Sequence, residues 1–257
     1  MLCRQMLGAL ALGLLALAPA IALAEPTDIV VRVLSKDAKF VGTSMGGMQV
    51  TLRDAVTSEV LATGMTEGGT GDTARIMHQK GGRRAELSDA SAAKYQVTLD
   101  LARPRLIEVE AYGPLAQRQS AQRVTSTQWV IPGRGITGGD GWVLELPGFV
   151  VDVLAPPAHV RVGVGKPVDV RANVVAMCGC PIEPQGLWDA DKYEVAAIVS
   201  VNGKEVSRIP LTFAGETSQF SVSVPVETAG AYEVVVYAHD PANGNTGLDR
   251  TTFIAAK

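Results

Sequence analysis

Beyond residue 24 the chain almost nowhere keeps a helical apolar period over three turns, and this restricts its fold more than any other feature. β-Branched runs alternate with polar residues instead, and Gly, Pro, Asn and Asp interrupt them at short intervals. In the first half, strands are expected at 29–34, 48–52, 60–65, 95–101, 106–112, 124–131 and 142–146, with a glycine-rich loop through Gly68, Gly69 and Gly71. In the second half they are expected at 160–164, 168–177, 193–201, 206–213, 220–226, 232–239 and 248–255. Asn202-Gly203 reads as a tight hairpin turn. Phe220, Val222, Val224 and Val226 fall on one face of their strand.

These patterns predict an all-β protein of two mainly antiparallel β-sandwich domains after a cleaved signal peptide, with helix limited to short pieces. Ala155-Pro156-Pro157 marks the expected boundary between domains at 25–155 and 156–257, because two prolines stiffen a linker and cannot extend a ladder. Segment 80–93 is polar and small, and reads as a loop or a single helical turn.

The first 24 residues read as an address. Arg4 precedes an apolar stretch from Met6 to Leu17, and Ala22-Leu23-Ala24 supplies a small-residue cleavage site. Export follows, to the periplasm or beyond it. No later run approaches the roughly 18 apolar residues of a membrane span, so none is expected after cleavage. A net charge of −3 lacks the basic footprint of a general nucleic-acid binder. Cys3 lies in the signal, which leaves Cys178 and Cys180 in an oxidising compartment.

The stretch MQVTLRDAVTSEVLATGMTEGG, with the strand and turn before it, resembles the transthyretin-like or carboxypeptidase-regulatory-like β-sandwich. That resemblance implies a non-catalytic module. The second half resembles an immunoglobulin-like sandwich, with seven expected strands and ETAGAYEVVVYA placing Tyr232 at that family's tyrosine corner. Tyr232, Val234, Val236 and Ala238 are then expected to face the core, and Glu233, Val235, Tyr237 and His239 to face outward. The Cys–Trp–Cys signature of antibody domains is absent.

Met177-Cys178-Gly179-Cys180-Pro181 carries the chemistry. Two thiolates at this spacing suit a soft ion such as Cu(I), with Met177, His239 or Asp240 completing the set. The same pair suits thiol–disulfide exchange, or a permanent local staple in a loop. Two unrelated buried cysteines are the plain alternative, although Gly179 and Pro181 give the segment turn chemistry. In an immunoglobulin-like sandwich the connection 178–192 and the connection 240–246 share one end, which would draw His239, Asp240, Trp188, Asp189 and Asp191 toward the cysteines. An extended Met177 points away from Cys178 and joins only if the chain turns there.

Other motifs are weaker. Asp240, Asn243, Asn245 and Asp249 offer oxygen ligands but not the EF-hand spacing, and read as an ordinary turn. Met45, Met48, Met65, Met77 and His78 are candidate soft ligands in the first domain, although strand methionines read more simply as core filler. Gly42-Thr43-Ser44-Met45-Gly46 matches a nucleophile elbow by letter, yet a strand rather than a helix is expected after it. The reading is therefore an exported, non-hydrolytic accessory or binding protein using the Cys-Gly-Cys loop for copper. The alternatives are a thiol–disulfide exchange protein and a passive envelope module with a local disulfide. Outward Val235 and Tyr237 favour a covered face and a protein partner in the cell envelope.

Overall fold

The computed structural model describes residues 23–78 and 81–257, so the signal peptide expected at 1–24 lies almost wholly outside the described residues. Alternation produces strands where it was expected, and most bounds agree within two residues. The first half contains β1 (Glu25–Ser35), β2 (Gln49–Asp54), β3 (Val60–Met65), β4 (Tyr95–Leu101), β5 (Arg105–Gly113), β6 (Gln122–Val130) and β7 (Trp142–Leu146). They form a sheet of order β4-β1-β7 and a sheet of order β3-β2-β5-β6. Ile29, Val31 and Val33 of β1 meet Val50, Leu52, Ile107 and Val109 of the other sheet in one core. Among the described residues, helix is confined to α1 (Thr73–His78) and single 3-10 turns, one of them at Gly82–Arg84 inside the segment expected to be a loop or a single helical turn.

The second half contains β8 (Phe149–Ala155), β9 (Val160–Gly163), β10 (Val168–Ala176), β11 (Glu194–Val201), β12 (Lys204–Pro210), β13 (Thr212–Phe213), β14 (Gln219–Val224), β15 (Gly230–His239) and β16 (Thr246–Ala256). One layer runs β13-β14-β10-β8 and the other β12-β11-β15-β16-β9. Among the described strands β1 to β16, all ladders are antiparallel except β1 with β7 and β16 with β9. This is an immunoglobulin-like strand order, with the first strand divided between the layers as β8 and β9.

The strand Phe149–Ala155 precedes the expected boundary at Ala155-Pro156-Pro157, yet it pairs with β10 from Phe149↔Ala176 to Ala155↔Arg171. The two prolines stand where the chain passes from one layer of the second sandwich to the other. Proline suits that crossing because it has no N–H to give either ladder.

Two local features fix the second sandwich. Asn202 and Gly203 both take positive φ, 51° and 80°, as a type I′ hairpin turn requires. The Tyr232 hydroxyl donates to the Thr228 carbonyl at 3.0 Å, which is the tyrosine corner. Its ring stacks on Phe253 at 4.7 Å between centroids.

The two sandwiches share a seam. On β10 and just beyond it, Val174, Ala176 and Cys178 enter the second core, while Val175 and Met177 enter the first. On β8, Phe149 and Val151 enter the second core and Val150 the first. One end of the β8–β10 ladder is thus apolar on both faces, and both cores close over it. Asn245 pins the connection, accepting from Gly148 N–H at 2.5 Å and donating to its carbonyl at 3.1 Å.

Candidate functional site

The Cys-Gly-Cys loop is the first place to look for chemistry. Cys178 and Cys180 are bonded to each other, with Cα atoms 5.4 Å apart. Both are buried, at 2% and 3% exposure, among the apolar residues of the second core. Gly179 turns between them at φ 77°, and a Cβ there would lie 2.5 Å from the Met45 sulfur of the first sandwich. The turn is therefore packed against the neighbouring domain, with both cysteines withdrawn from solvent.

The expected ligand set is also not assembled. Met177 is fully buried in the first core, whereas Cys178 and Cys180 belong to the second. Alternation along β15 sends Val234, Val236 and Ala238 into the core, and His239 to the outer face of the sheet. Asp240 is engaged in its own turn, accepting from Ala242 N–H at 2.8 Å and from the Asn243 amide at 2.9 Å. Among the described residues, no three His, Cys, Asp or Glu side chains converge as a metal site would require.

The two connections do share one end of the sandwich, as expected, but the first domain closes that end. Trp188 Nε1 donates to the Asp37 carbonyl at 3.1 Å, and Lys36 Nζ donates to the Asn243 carbonyl at 3.1 Å. The Asn243 amide also reaches the Asp37 carboxylate. Burial raises the Tyr193 phenol above its ordinary value, and the charges of Asp240, Asp37 and Asp189 add to it. Asp189 itself is lowered, chiefly by the backbone N–H groups of Gln185 and Asp191. Of the oxygen donors noted around this turn, Asn245 holds Gly148 and Asp249 accepts from Val153 N–H at 2.8 Å.

Of the first-domain soft donors, Met65 is half-buried outside either core and His78 is exposed. Met45 and Met48 are core residues of the first sandwich, and Met77 packs against the second core. Ser44 is exposed in a one-turn 3-10 segment, Thr43–Met45, that leads through Gly46 and Gly47 into β2. It lacks the strand-to-helix setting that presents a nucleophile.

The better site lies on the other side of the second sandwich. The outer faces of β11, β12, β15 and β16 carry Ile198, Arg208, Val235, Tyr237, His239 and Leu248. Cross-strand register aligns Arg208, Ile198 and Val235 in one row, and Ala196, Tyr237 and Leu248 in the next. Residues 119–122 of the first sandwich wall this face, leaving a groove of about 650 Å³. The wall is anchored where Ser120 Oγ donates to the Val151 carbonyl at 3.2 Å and accepts from Val151 N–H at 3.1 Å.

Polar groups stand on the apolar floor in fixed poses. The Tyr237 hydroxyl donates to Glu194, and the Arg208 guanidinium lies 5.8 Å from the centre of the Tyr237 ring. Burial first, and the Glu194 carboxylate second, raise the Tyr237 phenol above its ordinary value. Tyr237 is therefore neutral at physiological pH and acts as a hydrogen-bonding floor. The outward positions of Val235, Tyr237 and His239 were legible from alternation. The contribution of residues 119–122 was not, because it depends on how the domains pack.

No family model matches the chain. No curated protein is similar enough to match it. Among solved structures, the fibronectin(III)-like modules of CbhA from Clostridium thermocellum align over 92% of this chain and 91% of their own, at 12% identity and a TM-score of 0.28. A titin fragment, A168169, aligns over 92% and 93%, at 11% identity and a TM-score of 0.26. An engineered protein is 22% identical over 50% of this chain with a TM-score of 0.32, and the chain spans only 24% of that protein's length. Their TM-scores are all below 0.5, and nothing about fold, ligand or partner is taken from them. On its own strand pairings, the chain consists of two consecutive β-sandwiches, the second with immunoglobulin-like strand order.

Proposed function

We propose that this is an exported, non-hydrolytic binding module that takes an extended peptide segment of an envelope protein into the groove between its two sandwiches. One observation carries the reading: Ile198, Val235, Tyr237 and Leu248 face outward from the second sandwich onto a concave surface walled by the first. Apolar side chains on an outer sheet face are ordinarily covered. A groove of this size fits a few residues rather than a whole domain. Its mixed character, an apolar floor beside Arg208, Glu194 and the Gln119 and Gln122 amides, suits a peptide with an apolar anchor and a polar backbone.

Selection from a library of linear displayed peptides is expected to yield binders with an aliphatic or aromatic anchor. Val235→Asp should weaken them at least about tenfold, as loss of a central contact does. Val206→Asp, at an exposed position on the β12 edge, should leave them unchanged. Failure to select any binder, or equal affinity in the Val235 variant, would refute the groove reading.

Copper handling is the finer alternative, and it concerns the thiol form of Cys178 and Cys180. The bonded pair has no thiolate to offer a soft ion. In Cu(I) competition titrations, untreated protein is expected to bind no more tightly than Cys178→Ser/Cys180→Ser. A clearly higher affinity in the untreated protein would restore the metal reading.

A further inference from the structure

The remaining edges of the first sandwich are not alike. At the corner between β3 and β4, Tyr95 lies over Gly64, where a Cβ would be 2.1 Å from its ring, and its hydroxyl donates to the Thr63 carbonyl at 3.1 Å. That corner is sealed by a side chain. The opposite end of the same four-stranded sheet is β6, nine residues long and, among the described residues, paired only with β5. Edge strands are ordinarily protected by lysine, proline, a bulge or extreme shortness. In the second sandwich β12 carries Lys204, Glu205 and Arg208 and ends at Pro210, and β13 has two residues. From Val124 to Val130, β6 has neither a charge nor a proline, and its pairing with β5 runs without a register shift.

The exposed row of β6 is Arg123, Thr125, Thr127 and Trp129, with Trp129 63% exposed. Read antiparallel against itself about Ser126, this row is self-complementary. Arg123 faces Trp129, Thr125 faces Thr127, and the reciprocal pairs follow from the two-fold axis. Guanidinium over indole and threonine beside threonine are both favourable cross-strand pairs. Arg123 also meets Glu110 at 3.1 Å and the Tyr112 ring at 5.7 Å, both on β5, while its side chain remains 62% exposed and free to turn to the open edge.

We infer that β6 is a homodimerisation edge. Two copies join antiparallel about Ser126 and extend the sheet β3-β2-β5-β6 into one of eight strands. This surface is independent of the groove, since the paired row starts at Arg123, beyond the groove wall of residues 119–122.

Sedimentation equilibrium of the purified protein is expected to show a monomer–dimer equilibrium. Thr125→Lys/Thr127→Lys places lysines opposite lysines and should give a monomer with unchanged circular dichroism. Thr125→Glu/Thr127→Glu should do the same. An equimolar mixture of the two should dimerise again, because each lysine then meets a glutamate. Recovery in the mixture cannot arise from misfolding. A wild type that stays monomeric to about 0.5 mM, within the millimolar range of weak specific contacts, overturns the inference. So does a dimer that survives the lysine substitutions, or a mixture that fails to recover.

Discussion

Phe253→Ala is expected to cost about 3–5 kcal/mol, the range for removing a fully buried aromatic side chain. Phe253 is 0% exposed, pairs with Val160 across the β16–β9 ladder and stacks on Tyr232. Its loss opens a cavity between the strand that begins the second layer and the strand that bears the tyrosine corner. Against a total stability of about 5–15 kcal/mol, the second sandwich should be only marginally folded at 37 °C. Ile254→Ala is the internal comparison. Ile254 is the next residue, 41% exposed, and it points to the other face. It should cost well under half as much. Urea denaturation followed by far-UV circular dichroism measures both, and equal midpoints would refute the placement of Phe253 in the core.

Asn245→Ala is expected to cost about 1–3 kcal/mol, the range for leaving a buried polar group unsatisfied. Two groups are exposed to that penalty, because Asn245 serves both the N–H and the carbonyl of Gly148. The change acts at the seam, so it should also loosen the coupling between the two cores. Amide exchange at Gly148 is expected to rise even where the remaining strands keep their protection. Asn245→Asp separates geometry from hydrogen bonding. A carboxylate still accepts from Gly148 N–H but cannot donate to its carbonyl, and it places a charge at a site only 5% exposed. It should therefore destabilise at least as much as alanine at neutral pH. Stability unchanged in both variants would mean that the clamp does not join the domains.

Much of this fold was legible because a half-buried strand writes itself into the sequence with a period of two. Bounds such as Val60–Met65, Tyr95–Leu101 and Trp142–Leu146 followed directly from that period. Tyr232 at its corner and the inward row Val234, Val236 and Ala238 were equally local. The strand β8 was missed for the converse reason. Phe149, Val150 and Val151 are all buried, so the period disappears where two cores share one strand. The prolines after it were conspicuous, but a chain crossing between layers and a linker between domains demand the same residue.

The candidate metal set shows where local reasoning stops. Alternation that sends His239 outward also sets it on the face away from the core that holds Cys178 and Cys180. The sequence by itself determined the strands, the facing of their side chains and the tight turns, because each depends on residues within a few positions. Tertiary structure alone decided that the Cys-Gly-Cys turn lies under Met45, that Asp37 closes the loop end, and that residues 119–122 wall the groove. Those contacts join residues far apart in the chain, and their energies depend on packing between surfaces that no local pattern encodes.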